Sequence, residues 1–313
     1  MTDKINTASE TDTNAVKHRS GYVNIIGRPN VGKSTLMNAL LGDRLSIISN
    51  KPQTTRHRII GIYNDDYYQI VFSDTPGMIQ KPSYKMQEKM NEFANSTFED
   101  ADIMIFVTDI HEKYEDDDPI LLRLSNVKVP LFLVLNKIDT ANQETVLTKL
   151  KEWSSRLKFS ELIPVSALNT FNTEKLFDLI KANLPEGPKY YPEDQLTDRS
   201  ERFFVSEIIR EKILLQYEEE IPYSCEVQID SFKEGTNKTG QPLTRISATI
   251  FVARDSQKPI LIGKNGMAIK KLGTEARKAI ETFLENQIFL EINVKVRENW
   301  RDDDKFLNYF GYR

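Results

Sequence analysis

The chain carries one cysteine, Cys225, and three histidines among 313 residues. A lone thiol cannot close an intramolecular disulfide, and no Cys/His spacing matches a structural zinc site, so a reducing cytosol is the expected compartment. Cys225 itself reads as a core or interface thiol. Nowhere do about 18 apolar residues run together, and the polar stretch 1–20 lacks the apolar segment of a signal peptide, so no membrane span is expected. That leader reads as a disordered tail rather than an RNA-binding arm, because Asp3, Glu10 and Asp12 offset Lys4, Lys17 and Arg19. A strong charge of one sign is missing too. The net charge of −4 excludes a uniformly basic nucleic-acid coat and leaves room only for a local positive patch.

What is present suits two domains, since one domain typically takes about 100 to 200 residues. Over residues 21–184, short apolar runs alternate with helical patterns, the mark of an α/β domain with a mostly parallel sheet. Strands are expected at 22–26, 58–63, 67–73, 103–109, 131–136 and 162–165, and helices at 33–41, 84–98, 118–124, 144–157 and 173–182. The turn-rich Asn64-Asp65-Asp66 makes strands two and three a hairpin, so the six-stranded sheet is mixed. Periodicity stops over 185–199, where Pro185, Gly187, Pro188 and Pro192 mark a linker. From 200 to 313 the order becomes helix 201–216, strands 225–232 and 244–253, helices on either side of 263–266, and strand 288–296. That α-β-β-α-α-β order is a smaller α+β module.

Gly27-Arg28-Pro29-Asn30-Val31-Gly32-Lys33-Ser34 fits G-x-x-x-x-G-K-[ST], after an expected strand and opening an expected helix. Its glycines let backbone N–H groups turn around phosphate oxygens at a helix N-terminus. Gly27, Asn30, Val31, Gly32, Lys33, Ser34 and Thr35 are therefore candidate nucleotide contacts, with Lys33 on the β/γ-phosphates and the Ser34 hydroxyl on Mg²⁺. Asn136-Lys137-Ile138-Asp139 closes the fifth strand. Asp139 can accept from N1–H and the 2-amino group of guanine, donors that adenine lacks, so Asn136, Lys137 and Asp139 select GTP and GDP. Asp74-Thr75-Pro76-Gly77 puts a carboxylate for Mg²⁺ at the same sheet edge and the Gly77 N–H near the γ-phosphate. In Ser166-Ala167-Leu168, at the end of the sixth strand, a backbone N–H can reach guanine O6. The bland alternatives, a Gly-rich turn and an Asx-type turn, lose weight when the motifs occur together.

These residues resemble the translation-factor-related branch of P-loop GTPases, and Lys51-Pro52-Gln53-Thr54-Thr55-Arg56 is similar to the Era family of bacterial ribosome-assembly GTPases. The resemblance implies that a threonine of this segment binds Mg²⁺ and orders on the γ-phosphate. It favours Thr55, although the residues alone do not separate Thr55 from Thr54. The metal set is then Ser34, Thr55 and Asp74, and the groups acting on the transferred phosphate are Lys33, Thr55 and Gly77. A water-positioning glutamine is missing: Met78 follows Gly77, so slow intrinsic hydrolysis is expected. Related GTPases with the P-loop asparagine suggest K⁺ at Asn30, against the alternative of a turn-forming residue.

Downstream, Ile262-Gly263-Lys264-Asn265-Gly266-Met267 reads as two short helices joined by a G-x-x-G loop, which can clamp about four nucleotides. Lys258, Lys264, Lys270 and Lys271 surround it, so Gly263, Asn265, Gly266 and these lysines form the candidate RNA site. The element order resembles a type II KH fold, and the resemblance to Era runs from Gly21 to the end. It implies binding near the 3′ end of small-subunit (16S) ribosomal RNA and a role in 30S assembly. Asn265 departs from the family's usual glycine or lysine. Trp300 is read as a core or capping aromatic in preference to a base-stacking one. A metabolic P-loop kinase or ATPase is opposed by Asn136 and Asp139. A module whose basic patch meets anionic lipid at the cytoplasmic face of the inner membrane is the remaining alternative.

Overall fold

The structure, a computed structural model, describes residues 18–312; most of the expected N-terminal tail lies outside the described residues. The first half runs β1 (Arg19–Ile26), α1 (Lys33–Leu41), β2 (Ile59–Asn64), β3 (Tyr68–Asp74), α2 (Lys85–Ser96), β4 (Ile103–Asp109), α3 (Pro119–Leu124), β5 (Leu131–Asn136), α4 (Gln143–Arg156), β6 (Glu161–Pro164) and α5 (Thr173–Asn183). The six strands form one sheet in the order β2-β3-β1-β4-β5-β6. Only the β2–β3 hairpin is antiparallel. β4 is buried along its whole length, as a continuous apolar run covered on both faces must be. One core layer lies under α1 and α5, around Leu36, Leu40, Leu176 and Ile180. The other lies under α3 and α4, around Ile120, Leu124 and Trp153. The local signals explain the helix ends. Asn142 caps α4 by accepting from Thr145 N, Asp118 caps α3 by accepting from Ile120 N, and left-handed Gly42 closes α1.

The second half runs α6 (Glu201–Gln216), α7 (Ile221–Ser224), β7 (Cys225–Lys233), β8 (Leu243–Val252), α8 (Gln257–Ile262), α9 (Met267–Leu284), β9 (Gln287–Val296) and α10 (Asp304–Tyr309). β7 pairs antiparallel and β9 parallel with β8. Leu272, Ala276 and Ile280, four residues apart, turn one face of α9 onto the sheet, where alternate residues of β9 (Ile288, Leu290, Ile292) meet them.

One boundary needs correction. Arg19 and Ser20, expected in the tail, belong to β1: Arg19 Nη1 donates to Ala182 O at 3.1 Å, and Ser20 Oγ to Pro188 O at 2.6 Å. The proline-rich segment 185–199, expected as a linker, is held against the first domain. It has no helix or strand, yet it lies along the edge of β2: Ile62 N donates to Leu196 O at 2.8 Å, Thr197 Oγ1 to Ile60 O at 2.6 Å, and Asn64 Nδ2 to Glu193 O at 3.2 Å. Those bonds cover a sheet edge that would otherwise stand open.

The two halves meet on residues 51–58. Arg56, with no exposed surface, donates to Cys225 O at 2.7 Å, Pro222 O at 2.9 Å and Glu226 Oε2 at 3.0 Å. Tyr312 OH donates to the same Glu226 oxygen at 2.7 Å. Lys51 reaches Tyr217 O at 2.5 Å, and Arg210, paired with Glu207, reaches the carbonyls of Gln53 and Thr54. Beside this seam α2 packs on the C-terminal segment through Met86, Met90, Trp300 and Leu307. Trp300 is fully buried with its indole N–H on Ser224 O at 3.0 Å, so the core reading holds and it does not face solvent to stack on a base. Burial at the seam pushes the Cys225 thiol up to about 12.

Candidate nucleotide and RNA sites

β1 pairs with β3 on one side and β4 on the other, and open α/β sheets place ligands outside the carboxyl ends of their strands at such a switch point. A cavity of about 510 Å³ opens there, lined among others by Asn30, Lys33, Ser34, Thr55, Gly77 and Asp139. Gly32, Thr35, Asn136, Lys137 and Leu168 line it as well. Gly27, Val31, Asp74, Ser166 and Ala167 do not line it, but each is hydrogen-bonded to a residue that does. Asn136 ties two of these together, donating from Nδ2 to Val31 O at 2.9 Å and accepting from Ala167 N at 3.0 Å. A Cβ on Gly32, where φ is +95°, would lie 2.2 Å from Asn136 Nδ2, so only glycine fits between the P-loop and that amide. Gly77 is as restricted, because a Cβ there would lie 2.4 Å from Pro29 N.

At the phosphate end Lys33 is buried and donates to Gly27 O at 3.2 Å and Arg28 O at 2.9 Å. Burial pulls its ammonium down to about 8, with the Asp74 carboxylate opposing the shift. Burial likewise raises the Asp74 carboxyl above its ordinary range, against Lys33 and the Ser34 hydroxyl. Asp74 Oδ2 accepts from Ser34 Oγ at 2.6 Å and from Thr55 Oγ1 at 3.3 Å, and the two hydroxyls lie 2.8 Å apart. Asp74 Oδ1 is buried with no hydrogen-bond partner. Three hard oxygen donors converge on one point with one carboxylate oxygen unspent, and this donor set fits Mg²⁺. Thr54 lines the cavity too, but its hydroxyl donates to Lys51 O at 2.6 Å, whereas the Thr55 hydroxyl faces Ser34 and Asp74.

At the other end of the cavity the Asp139 carboxylate is exposed and accepts from Ser166 Oγ at 2.6 Å. Asn30, in a left-handed turn at φ +65°, donates from Nδ2 to Asn50 O at 3.1 Å. Met78 packs into the core beneath α3 and points no group at the cavity. Sequence reasoning missed Ile47, Ile48, Ser49 and Asn50, which line the cavity from an aperiodic loop after α1. It also missed Asp109, whose one signal was a carboxylate ending an apolar strand at the same sheet edge as Asp74.

In the second half, the loop between α8 and α9 has Gly263 at φ +73° and ψ 172°, Asn265 at φ +51° and Gly266 at φ +74°. A Cβ on Gly263 would meet the Ala268 Cβ at 2.5 Å, whereas nothing lies within 4 Å of one on Gly266. Lys258, Lys264, Lys270 and Lys271 are exposed and form no ion pair among the described residues, so their charge faces solvent around the loop.

Residues 22–137 match the 50S ribosome-binding GTPase family and residues 220–301 the KH domain family. The GTPase Era of Staphylococcus epidermidis is 45% identical over 297 residues, spanning 95% of this chain and 98% of that protein. A crystal structure of Era in complex with MgGDPNP and nucleotides 1506–1542 of 16S ribosomal RNA is 37% identical with a TM-score of 0.89, covering 94% of this chain and 99% of that one. Aquifex aeolicus Era, as a variant bound to GDP and AlF₄⁻, is 37% identical with a TM-score of 0.88 over the same shares. With its P-loop domain, its KH domain and this likeness along nearly the whole chain, the protein belongs to the Era family of GTPases.

Proposed function

We propose that the chain is a GTP-operated RNA-binding switch that holds the 3′ end region of 16S ribosomal RNA on its KH domain and assists 30S subunit assembly. The observation that carries this reading is that Thr55, facing Ser34 and Asp74, stands in the segment whose neighbours Lys51, Thr54 and Arg56 hold the second domain. In this assignment the P-loop and Lys33 hold the phosphates of GTP or GDP. Ser34, Thr55 and Asp74 hold Mg²⁺, which when bound neutralises charge developing on the transferred phosphate. Gly77 N–H orders on the γ-phosphate, and Asp139, oriented by Ser166, reads guanine. Hydrolysis releases the Thr55 and Gly77 segments and with them the grip on the second domain. The G-x-x-G loop clamps the RNA backbone and the four lysines neutralise phosphates. The proline-marked stretch 185–199 is taken as the boundary between the two domains.

With no glutamine after Gly77, we assign K⁺ coordination to Asn30, whose side chain already sits within hydrogen-bonding distance of the Asn50 carbonyl opposite it. Turnover is then faster in K⁺ than in Na⁺ buffer at matched ionic strength; equal rates would remove the assignment.

Lys33 gives a pH signature. Its ammonium titrates near 8 in the free protein, and phosphates raise that value again. Below pH 8 it is charged before and after binding; above, GTP binding must draw a proton from solvent. Calorimetry at pH 9 in two buffers of different ionisation enthalpy should show uptake approaching about one proton. Uptake that is absent at pH 9 contradicts a Lys33 neutralised by burial. At the other end, Asp139→Asn should lower GTP affinity by more than about tenfold and favour xanthosine nucleotides, since the amide can donate to the 2-oxo group. An unchanged base preference would refute the assignment of Asp139.

The RNA reading is tested by titrating labelled oligonucleotides from the 16S 3′ end into protein loaded with GTP analogue or GDP, across a salt series. Affinity should differ between the nucleotide states and fall steeply with salt. Gly266→Asp, chosen because space is open around that residue, should weaken RNA binding about tenfold or more at unchanged nucleotide affinity. Binding to anionic vesicles but not to RNA would overturn this reading in favour of a lipid-binding module.

A further inference from the structure

The loop that joins β4 to α3 is not part of the cavity wall, yet it touches both segments that form the wall. Asp109, 6% exposed, ends β4 directly beside Asn136 of β5. Its Oδ1 accepts from the backbone N–H groups of His111 at 2.8 Å and Glu112 at 3.0 Å, which fixes the start of the loop. Its Oδ2 accepts from Lys137 Nζ at 2.7 Å. Lys137 is itself held at φ +59°, a conformation uncommon outside glycine. A second strut runs alongside: His111 Nε2 lies 3.1 Å from Thr140 Oγ1, which donates to Lys137 O at 2.7 Å. The turn from Lys137 to Thr140, which carries Asp139, is thus braced at both ends by residues of the β4–α3 connection. Farther along, Glu112 and Asp118 bind the P-loop residue Arg28, so one loop spans the distance between phosphate cradle and base turn.

The geometry points to Asp109 as a positioning residue for guanine recognition, holding Lys137 and the Asp139 turn in the conformation that receives the base. A lysine left free at this rim is a flexible four-carbon chain, and fixing it before the ligand arrives removes an ordering cost from binding. The carboxylate serves both neighbours at once: one oxygen orders its own loop, and the other pulls Lys137 toward the sheet. The inference rests on the reading that the 137–140 turn is the base site, and the experiment separates the two.

Asp109→Asn is the informative change, because the amide oxygen still accepts from His111 and Glu112 while the ion pair with Lys137 is lost. Lys137→Met and the double variant complete a cycle. Dissociation rates of fluorescent GDP and of a GTP analogue, kcat at saturating GTP, and melting temperature are measured for all four proteins. Asp109→Asn should release both nucleotides about tenfold faster, with saturating kcat within about twofold of the parent. The double variant should be no weaker than Lys137→Met alone. Release at the parental rate, losses that add in the double variant, or a loss that merely follows a fall in melting temperature would each overturn the positioning role. If Lys137→Met itself binds like the parent, the positioning role falls too, whereas an unchanged base preference in Asp139→Asn would remove the base-site reading beneath it.

Discussion

The guanidinium of Arg56 is a permanent charge with no access to water, and the arrangement of the two domains hangs on how it is satisfied. Two carbonyls and the Glu226 carboxylate take its terminal nitrogens, while its Nε finds no partner. Removing Glu226 would leave a buried cation under-compensated, which is far costlier than the pair is stabilising. Such a contact is better at specifying a geometry than at adding stability. It is made or it is broken, and the neighbour of Arg56 in sequence is Thr55, whose hydroxyl lies against Ser34 and Asp74 in the candidate nucleotide site.

The surroundings sharpen that two-state character. His57, next in the chain, is buried among Tyr312, Phe93 and Phe203, and burial drives its pKa down to about 3, so it stays neutral throughout the physiological range. His57 therefore supplies no proton switch to the seam. What can change it is the path of residues 51–58, and that path is set from the other side by Ser34 and Asp74.

Much of the fold was legible because its signals are local. β4 is an unbroken apolar run and β9 alternates, so both could be placed to within a residue or two, and α9, which repeats at four residues, was expected after the 263–266 loop. The nucleotide site was legible for a different reason: its chemistry needs particular residue types at fixed offsets, and topology brings those offsets to one edge. What stayed hidden was contact without period. Lys51 and Arg56 look like solvated charges in a polar loop, and only the tertiary fold buries Arg56 against β7. Asp109 looked like the polar end of a strand. Thr54 and Thr55 are chemically identical neighbours, and only the direction of each side chain tells them apart. The one-turn helix α7 and the short α10 carry too few residues to show a pattern at all.

The docking of residues 185–199 along β2 changes what separation of the halves can mean. A flexible connector of that length would let its ends drift apart by roughly 20 Å or more, and the RNA-binding half would diffuse as on a leash. Here the connector is fastened to the sheet up to Arg199, whose guanidinium donates to Arg58 O at 2.7 Å, and α6 begins two residues later at Glu201. Only Ser200 then separates the fastened stretch from α6, and Arg58, to which the stretch is fastened, directly precedes β2. The KH domain is thus joined to the GTPase domain through a joint of about one residue, not through a loose leash, and an RNA held on the one is kept close to the other.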